Sequence, residues 1–251
     1  MKILILSDIH ANIYALKTVL EETSNYDEIW VLGDLVDYGP NPGEVVDLVK
    51  STSARVIRGN HDHAVGFGVD CRCGKETHWL SVWTRNNITY KLLSRNDIKY
   101  LASLPLNIVL DNALLVHGSP SNPLYGYLYP WINKEELLDS LKPARKYALR
   151  ESLVSQPSYT WFFIGHTHYQ FIITIEGLRV VNPGSVGQPR DGNPRASYAI
   201  VDLDENTIIL KRVKYPIENV IREYEKLGVP EPYYSALKYM LLNGRIPQRK
   251  P

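Results

Sequence analysis

The sequence predicts an α/β fold, a four-layer α/β/β/α sandwich in which two mixed sheets lie face to face and helices flank them. Two observations predict it. The first sixty residues alternate apolar strands with amphipathic helices, which indicates a mainly parallel sheet. From residue 108 onward, apolar runs occur in pairs around turn residues, which indicates hairpins and a second, antiparallel-rich sheet.

Three strands are predicted in the first sixty residues, from Lys2 to Ser7, from Glu28 to Leu32 and from Arg55 to Arg58. The first is a continuous apolar run, as expected of a central strand covered on both faces. Asn41 and Pro42 match the N-cap and first positions of the helix between the second and third strands. Each strand releases a polar cluster at its carboxyl end, where open α/β sheets carry their functional crevice.

The middle of the chain gives a weaker pattern. Residues 64–103 begin irregularly and then predict helical segments in which Trp79 and Trp83 are core or lid aromatics. Cys71 and Cys73 are separated only by Arg72, a spacing that is poor for an unstrained disulfide, and we expect reduced thiols in a loop.

Three hairpins and one further strand are predicted in the second half. The hairpins turn at Asp111-Asn112, at Glu176-Gly177 and around residues 204–206, and the strand runs from Thr160 to Ile164. Residues 1–251 are expected to form one domain, with residues 214–251 as a C-terminal helical extension. The apolar face of this extension could close the domain or pack against a second subunit, so a homodimer is an open alternative.

Charge and hydropathy exclude several classes of function. Lys and Arg number 28 against 27 Asp and Glu, so no global field favours general nucleic-acid binding or an acidic membrane. No apolar run approaches the roughly 20 residues of a membrane span, and we expect the first residues to form a strand rather than a signal peptide. We therefore expect a cytoplasmic protein.

Five of the seven histidines lie in polar clusters directly after predicted strands, together with three aspartates and one asparagine. Neutral imidazole with carboxylate and amide oxygens suits Mn²⁺, Fe, Co, Ni or Zn²⁺, whereas structural zinc takes thiolates. Asp34 is the acid that could bridge two ions. Two ions ~4 Å apart would turn a bridging water into hydroxide near neutral pH, and phosphorus is the electrophile whose charged oxygens they would also clamp.

The clusters, in order, read Asp-x-His, Gly-Asp-x-x-Asp-x-Gly, Gly-Asn-His-Asp, Val-His-Gly and Gly-His-x-His. This series resembles the calcineurin-like metallophosphoesterase superfamily. The segment from Asn182 to Asp191 and the length of the chain are similar to a prokaryotic subgroup of small phosphodiesterases. The resemblance runs from Lys2 to about Val213.

The resemblance implies a role for each motif residue. One metal ion would be held by Asp8, His10, Asp34 and His168, and a second by Asp34, Asn60, His117 and His166. His61 would be the general acid that protonates the leaving-group oxygen, and Asp37 would orient it or tune its pKa.

Two residues depart from the family's pattern. Tyr38 stands where the protein serine/threonine phosphatases have arginine, which removes a phosphate-binding cation, and Ala11 stands where many relatives have glycine. Arg190 and Tyr38 are candidate contacts to substrate phosphate. Tyr125, Tyr127 and Tyr129 alternate in a Pro-rich loop, where we expect core packing, with the stacking of a nucleotide base as the open alternative.

We therefore predict a hydrolase that uses two divalent metal ions, with Mn²⁺ preferred, to cleave a small phosphate ester. A phosphodiester of a nucleotide-like molecule is the preferred substrate. A protein phosphatase or a dinucleoside polyphosphate hydrolase is the alternative enzyme, and a metal-binding scaffold is the alternative outside catalysis. Scaffold members tend to lose the catalytic histidine, so the presence of His61 favours an enzyme.

Overall fold

A computed structural model describes residues 1–110, 112–142 and 160–248. Its first sheet has the strand order β10-β9-β1-β2-β3 and its second the order β4-β5-β6-β8-β7. The strands of the first sheet are β1 (Lys2–Leu6), β2 (Glu28–Val31), β3 (Arg55–Val56), β9 (Ala196–Asp202) and β10 (Thr207–Val213). Those of the second are β4 (Asn107–Leu110), β5 (Ala113–Val116), β6 (Trp161–Phe163), β7 (Gln170–Ile175) and β8 (Leu178–Pro183).

Both sheets are mixed, as predicted. Strands β1, β2 and β3 run parallel, and so do β5, β6 and β8. The three predicted hairpins form as the antiparallel pairs β4-β5, β7-β8 and β9-β10. Of the predicted turn residues, Asp111 lies outside the described part of the chain. The parallel strands of each sheet end at one edge, which brings their following loops together.

The expectation that the β9-β10 hairpin belongs to the second sheet is wrong, because β9 pairs with β1 in the first. The reason is that β9 is buried on both faces. Ala199 and Val201 join the core between the sheets, whereas Ala196 and Tyr198 face the helices on the other side. Alternation of apolar residues identifies a strand but not its sheet.

Helices cover both outer faces. They are α1 (Ile13–Glu22), α2 (Pro42–Ser51), α3 (Asn60–Phe67), α4 (Lys75–Thr84), α5 (Tyr90–Leu92), α6 (Arg95–Ser103), α7 (Lys134–Leu141), α8 (Ile217–Lys226) and α9 (Tyr233–Asn243), and a π-helical turn, Arg85–Thr89, joins α4 to α5. Asn41 is the N-cap of α2 with Pro42 following, as predicted, and Gly244 ends α9 in the left-handed conformation.

Three apolar cores separate the four layers. The core between the sheets contains Ile5, Trp30 and Phe163, whose side chains are inaccessible to solvent. The helices α1, α2, α8 and α9 bury their apolar faces against the first sheet, and α7 does so against the second. The predicted α/β/β/α sandwich is therefore confirmed.

The C-terminal helices contribute to the core over the first sheet. Val220 of α8 and Met240 of α9 are buried there, and the Tyr224 hydroxyl donates a hydrogen bond to the carbonyl oxygen of Tyr38 (3.1 Å). That bond ties the extension to a loop that follows β2. Within the described residues, no helix is both long and apolar enough to cross a bilayer. The division into one domain stays a prediction.

Candidate metal centre

The seven predicted ligand residues lie together at the edge where the parallel strands of both sheets end. Asp8 and His10 follow β1, Asp34 follows β2, Asn60 begins α3 after β3, His117 follows β5, and His166 and His168 follow β6. Each of the seven is at most 3% exposed to solvent. Side chains separated by up to 160 residues in sequence thus form one buried polar cluster.

The loops that carry these residues adopt a strained backbone. The φ angles of Asp8, His10, Asp34, His166 and His168 are 52°, 46°, 57°, 67° and 61°, in the left-handed region that non-glycine residues rarely occupy. Each such residue costs on the order of 1–3 kcal/mol, and strain of this kind concentrates at functional sites. Main-chain hydrogen bonds hold the strained turns, among them the bond from His10 N to Asp34 O (2.9 Å).

His10, His168 and Asp8 form the first group of ligand atoms. The Nδ1–H groups of His10 and His168 donate to the carbonyl oxygens of Val36 (2.9 Å) and Gln188 (2.6 Å), so each ring directs Nε2 inward. The two Nε2 atoms lie 3.2 Å apart, and His168 Nε2 lies 3.3 Å from Asp8 Oδ1. These atoms are positioned to bind one cation.

The positive charge between these groups does not come from a proton on His10 or His168. Burial lowers the pKa of His10 to about 3 and lowers that of His168 well below its ordinary value. Both imidazoles are therefore neutral, with a lone pair on each inward Nε2. Asp8 Oδ1 accepts no hydrogen bond from the described residues. A buried set of lone pairs without donors is the chemistry of a metal site.

His117, Asn60 and His166 form the second group. The Nδ1–H of His117 donates to Leu32 O (2.7 Å), and its Nε2 lies 3.0 Å from Asn60 Oδ1 and 3.2 Å from His166 Nδ1. Asn60 donates through Nδ2 to the carbonyl oxygen of Cys71 (2.8 Å), so its Oδ1 faces the cluster. Two imidazole nitrogens and an amide oxygen thus converge on one point.

Asp34 belongs to both groups. Its Oδ2 lies 3.2 Å from His117 Nε2 and 3.8 Å from His10 Nε2 and has no hydrogen-bond donor among the described residues. Burial lowers the pKa of His117, but the charge of Asp34, its hydrogen bond to His117 and the charge of Asp8 together raise that pKa to about 9. Asp34 therefore attracts positive charge, which a divalent ion on either side would supply. The residues present fit two metal ions.

Gly59 allows the Asp34 carboxylate to lie this close to the α3 N-terminus. A Cβ added at Gly59 would be 2.1 Å from Asp34 Oδ1, closer than any real contact. Asp34 Oδ1 instead accepts the main-chain N–H of His61 (2.8 Å), which leaves Oδ2 to the cluster. The Gly-Asn-His sequence therefore orients the shared carboxylate as well as supplying Asn60.

His61 lies beside the cluster and is held by a buried acid. Its Nδ1 lies 2.9 Å from Asp37 Oδ2, and its ring contacts that of His10 edge to face, with centroids 5.0 Å apart. Burial lowers the pKa of His61, whereas negative charges, first that of Asp34, raise it, and the net shift is upward. Because Nδ1 is engaged by Asp37, Nε2 is the ring nitrogen available for proton transfer.

Arg85 is a part of the site that sequence reasoning missed. Its Nε and Nη2 both donate to Asp37 Oδ2, at 2.8 and 2.5 Å, and Nη2 also donates to Ser81 Oγ (3.0 Å). Although burial raises the pKa of Asp37, the bond from His61 and the charge of Arg85 hold it below its usual range. A signal was present, since Ser81 and Arg85 are polar residues one helical turn apart in a segment otherwise rich in apolar side chains.

Replacing Arg85 with alanine should destabilise the metal-free protein by about 3–5 kcal/mol, because Asp37 would be left as a buried charge without its cation. Urea unfolding measures the change. The matched control is Arg55→Ala, which breaks a pair with Glu28 on the surface and should cost no more than about 1 kcal/mol. Equal effects of the two substitutions would contradict the assignment.

Asp62 has a structural role. Its carboxylate accepts the main-chain N–H groups of Asp34 (2.8 Å), Leu35 (2.8 Å) and Gly59 (3.0 Å), and so fixes the turn that presents Asp34. His78, outside the cluster, pairs with Asp70 at 2.7 Å. Neither residue supplies a ligand atom to the two groups described above.

Arg190 and Tyr38, the candidate substrate contacts, lie beside the cluster and against each other. The guanidinium carbon of Arg190 is 5.7 Å from the centroid of the Tyr38 ring, and that ring contacts His10 at 4.9 Å. Arg190 donates through Nη2 to Gln188 Oε1 (2.7 Å), whereas its Nε has no partner among the described residues. A cation with an unused donor therefore lies next to the ligand groups.

The four-layer sandwich and the histidine, aspartate and asparagine side chains at its strand ends agree with what the resemblance implies. The family model described as the calcineurin-like phosphoesterase superfamily domain matches residues 1–206. The chain therefore belongs to the calcineurin-like phosphoesterase superfamily, as the resemblance predicted.

Two relatives match over most of the chain and a third over part of it. An uncharacterized protein of Methanocaldococcus jannaschii is 32% identical, with 91% of this chain and 94% of that protein covered. The crystal structure of a metallophosphoesterase from Sphaerobacter thermophilus is 32% identical, with a TM-score of 0.73, and covers 97% of this chain and 100% of that one. The symmetrical bis(5'-nucleosyl)-tetraphosphatase of Psychromonas ingrahamii is 36% identical over 31% of this chain and 30% of that enzyme.

Proposed function

We propose that this protein is a hydrolase that cleaves a phosphate ester with the help of two divalent metal ions, preferably Mn²⁺. The preferred substrate is a phosphodiester of a small nucleotide-like molecule. The observation that carries the proposal is the position of Asp34 Oδ2, which lies within 4 Å of the inward nitrogens of both His10 and His117.

Two ions held by these groups would lower the pKa of a bound water and neutralise charge on the phosphate oxygens. Asp8, His10, Asp34 and His168 would hold one ion, and Asp34, Asn60, His117 and His166 the other. Imidazole, carboxylate and amide donors, with no thiolate in either group, suit Mn²⁺ and its first-row neighbours.

His61 would donate the proton that the leaving-group oxygen needs. Its Nδ1–H is directed at Asp37, which stabilises the imidazolium form, so Nε2–H can be given up to the departing alkoxide. Arg85 keeps Asp37 ionised in a buried setting, and Asp37 therefore remains a hydrogen-bond acceptor through the proton transfer. The network orients His61 for one proton donation per cycle.

Arg190 would bind a phosphate oxygen beside the metal ions through the Nε–H that lacks a partner in the described structure. Tyr38 supports the guanidinium from one side and brings no charge of its own. The one positive charge of Arg190 suits a singly charged diester better than a doubly charged monoester. This balance favours phosphodiesters over the phosphoproteins of the family's serine/threonine phosphatase branch.

A second candidate substrate is a dinucleoside polyphosphate. The observation that favours it is the partial similarity to the symmetrical bis(5'-nucleosyl)-tetraphosphatase of Psychromonas ingrahamii. Chromatography of the products from diadenosine tetraphosphate tests this candidate, because symmetrical cleavage yields ADP alone.

Protein that has been stripped of metal and then loaded with Mn²⁺ should hydrolyse bis(p-nitrophenyl) phosphate with a higher kcat/KM than p-nitrophenyl phosphate. The two compounds release the same leaving group, so the ratio reports the charge preference of the site. A chelator should abolish both activities. If protein loaded with Mn²⁺, Fe, Co, Ni or Zn²⁺ hydrolyses neither compound, the phosphoesterase proposal fails, and a faster monoester reaction rejects the diester preference.

A further inference from the structure

Three aromatic side chains form a row that begins at the candidate metal centre and ends in solvent. Tyr127 lies over the ring of His166 with centroids 4.0 Å apart. Tyr129 is parallel to Tyr127 within 9° at 5.7 Å, and Trp131 is parallel to Tyr129 within 8° at 4.8 Å. We call Tyr127, Tyr129 and Trp131 the aromatic row.

The aromatic row is not required to complete the apolar core beneath it. Leu128, which lies between Tyr127 and Tyr129 in sequence, is buried in the core over the second sheet, as expected when alternate residues of an extended segment face opposite sides. The side chain of Trp131 is 66% exposed. Core packing, expected from the sequence, therefore applies to Leu128 and not to the row.

The row is held in place from one side. Tyr169 meets Trp131 edge to face at 5.2 Å and Tyr129 at 5.9 Å, so the two outer rings are oriented before any ligand arrives. Aromatic rings positioned in advance lose little entropy when a planar ligand stacks on them. An exposed indole beside two parallel phenol rings offers such a surface.

Arg190 and the aromatic row meet the same loop, the one after β6 that carries His166 and His168. The main-chain N–H of Arg190 donates to His168 O (3.4 Å), whereas Tyr127 contacts the ring of His166. The guanidinium carbon of Arg190 lies 5.7 Å from the centroid of the Tyr38 ring. A substrate whose phosphate contacts Arg190 would extend its next chemical group toward the row.

We propose that the aromatic row binds the planar aromatic group of the substrate, specifically a nucleobase, by stacking, while the phosphate lies at the metal centre. The inference rests on the proposed function and names its substrate class, a nucleoside phosphate ester. Continuity from His166 through Tyr127 to Trp131 is the reason for choosing a substrate group rather than a protein partner as the occupant.

The test compares two diesters that share the reacting phosphate and leaving group. Thymidine 5'-(p-nitrophenyl phosphate) carries a base, whereas ethyl p-nitrophenyl phosphate carries none. For the Mn²⁺-loaded protein, kcat/KM should be on the order of tenfold higher for the thymidine ester, the gain typical of one stacked base. Trp131→Ala and Tyr129→Ala should each reduce this ratio toward one, and Trp131→Phe should retain most of it.

Tyr239→Ala is the matched control, because Tyr239 is another exposed aromatic residue, on α9, and this variant should keep the wild-type ratio. A ratio near one in the wild type, or a ratio that Trp131→Ala and Tyr129→Ala do not change, overturns the inference and leaves the proposed function standing. A shift from dimer to monomer in Trp131→Ala with an unchanged ratio would identify a second copy as the occupant, which also overturns it.

If neither diester is hydrolysed, a binding measurement still tests this inference independently of the proposed function. Calorimetric titration of the metal-loaded protein with AMP and with ribose 5-phosphate compares ligands that share a phosphate and differ in the base. AMP should bind on the order of tenfold more tightly, and Trp131→Ala should remove the difference. Equal affinities of the wild type for the two ligands overturn the inference, whatever the activity.

Discussion

Replacing Asp34 with asparagine should remove both metal ions from the purified protein and reduce phosphodiester hydrolysis by more than about 100-fold, the upper end of what loss of an outer-shell partner costs a metal site. The physical reason is that one oxygen, Asp34 Oδ2, lies next to His10 Nε2 and His117 Nε2 at once. Asparagine keeps the shape of the side chain and removes its negative charge, so both ions would lose the same anionic ligand. Elemental analysis of protein purified under identical conditions measures the change.

Asp47→Asn is the matched control for Asp34→Asn, since it makes the same chemical change on the exposed surface of α2. It should leave metal content and turnover at the wild-type level. A variant Asp34→Asn that loses one ion and keeps the other would show that the carboxylate serves a single site. The shared-ligand account would then be wrong.

Replacing His61 with alanine should leave the metal content unchanged and slow the hydrolysis of a diester with a poor leaving group by ~10²–10⁴-fold, the usual effect of removing a general acid. Metal binding should survive because the contact of His61 with Asp34 is made by its main-chain N–H, which alanine retains. Kinetics with thymidine 5'-(phenyl phosphate) measure the loss. The same variant should lose much less activity toward the p-nitrophenyl ester, because p-nitrophenolate departs without a proton.

His63→Ala is the matched control, because His63 lies two residues further along α3 and is partly exposed outside the cluster. This substitution should change neither metal content nor the ratio of the two activities. If His61→Ala slows both esters by the same factor, His61 does not protonate the leaving group. If it lowers the metal content instead, His61 is a ligand.

The juxtaposition of the seven candidate ligands could be predicted from the sequence because of where each motif lies. Asp8, Asp34 and His117 come directly after apolar runs that predict strands. Parallel strands end at one edge of their sheet, so the residues that follow them lie together. The geometry of the ring nitrogens could not be predicted, since it depends on main-chain acceptors such as the carbonyl oxygens of Val36 and Gln188. No side-chain pattern encodes such acceptors.

Two features could not be predicted from the sequence, for different reasons. The sheet to which β9 belongs depends on its antiparallel pairing with β1, about 195 residues away, and burial on both faces conceals which partner it takes. Arg85 was missed because Trp79 and Trp83 make its segment look like an apolar helix. In the structure a π-helical turn begins at Arg85, and its side chain donates to Asp37. Long-range pairing and helix irregularities leave little trace in local periodicity.

The most direct test of the two-ion account is anomalous X-ray diffraction from crystals of Mn²⁺-loaded protein, measured at the manganese absorption edge. The account predicts two anomalous peaks roughly 3.5–4 Å apart, the separation of two-metal sites, with Asp34 Oδ2 coordinated to both and the seven candidate residues distributed between them. A single peak, or two peaks of which only one contacts Asp34, would contradict it.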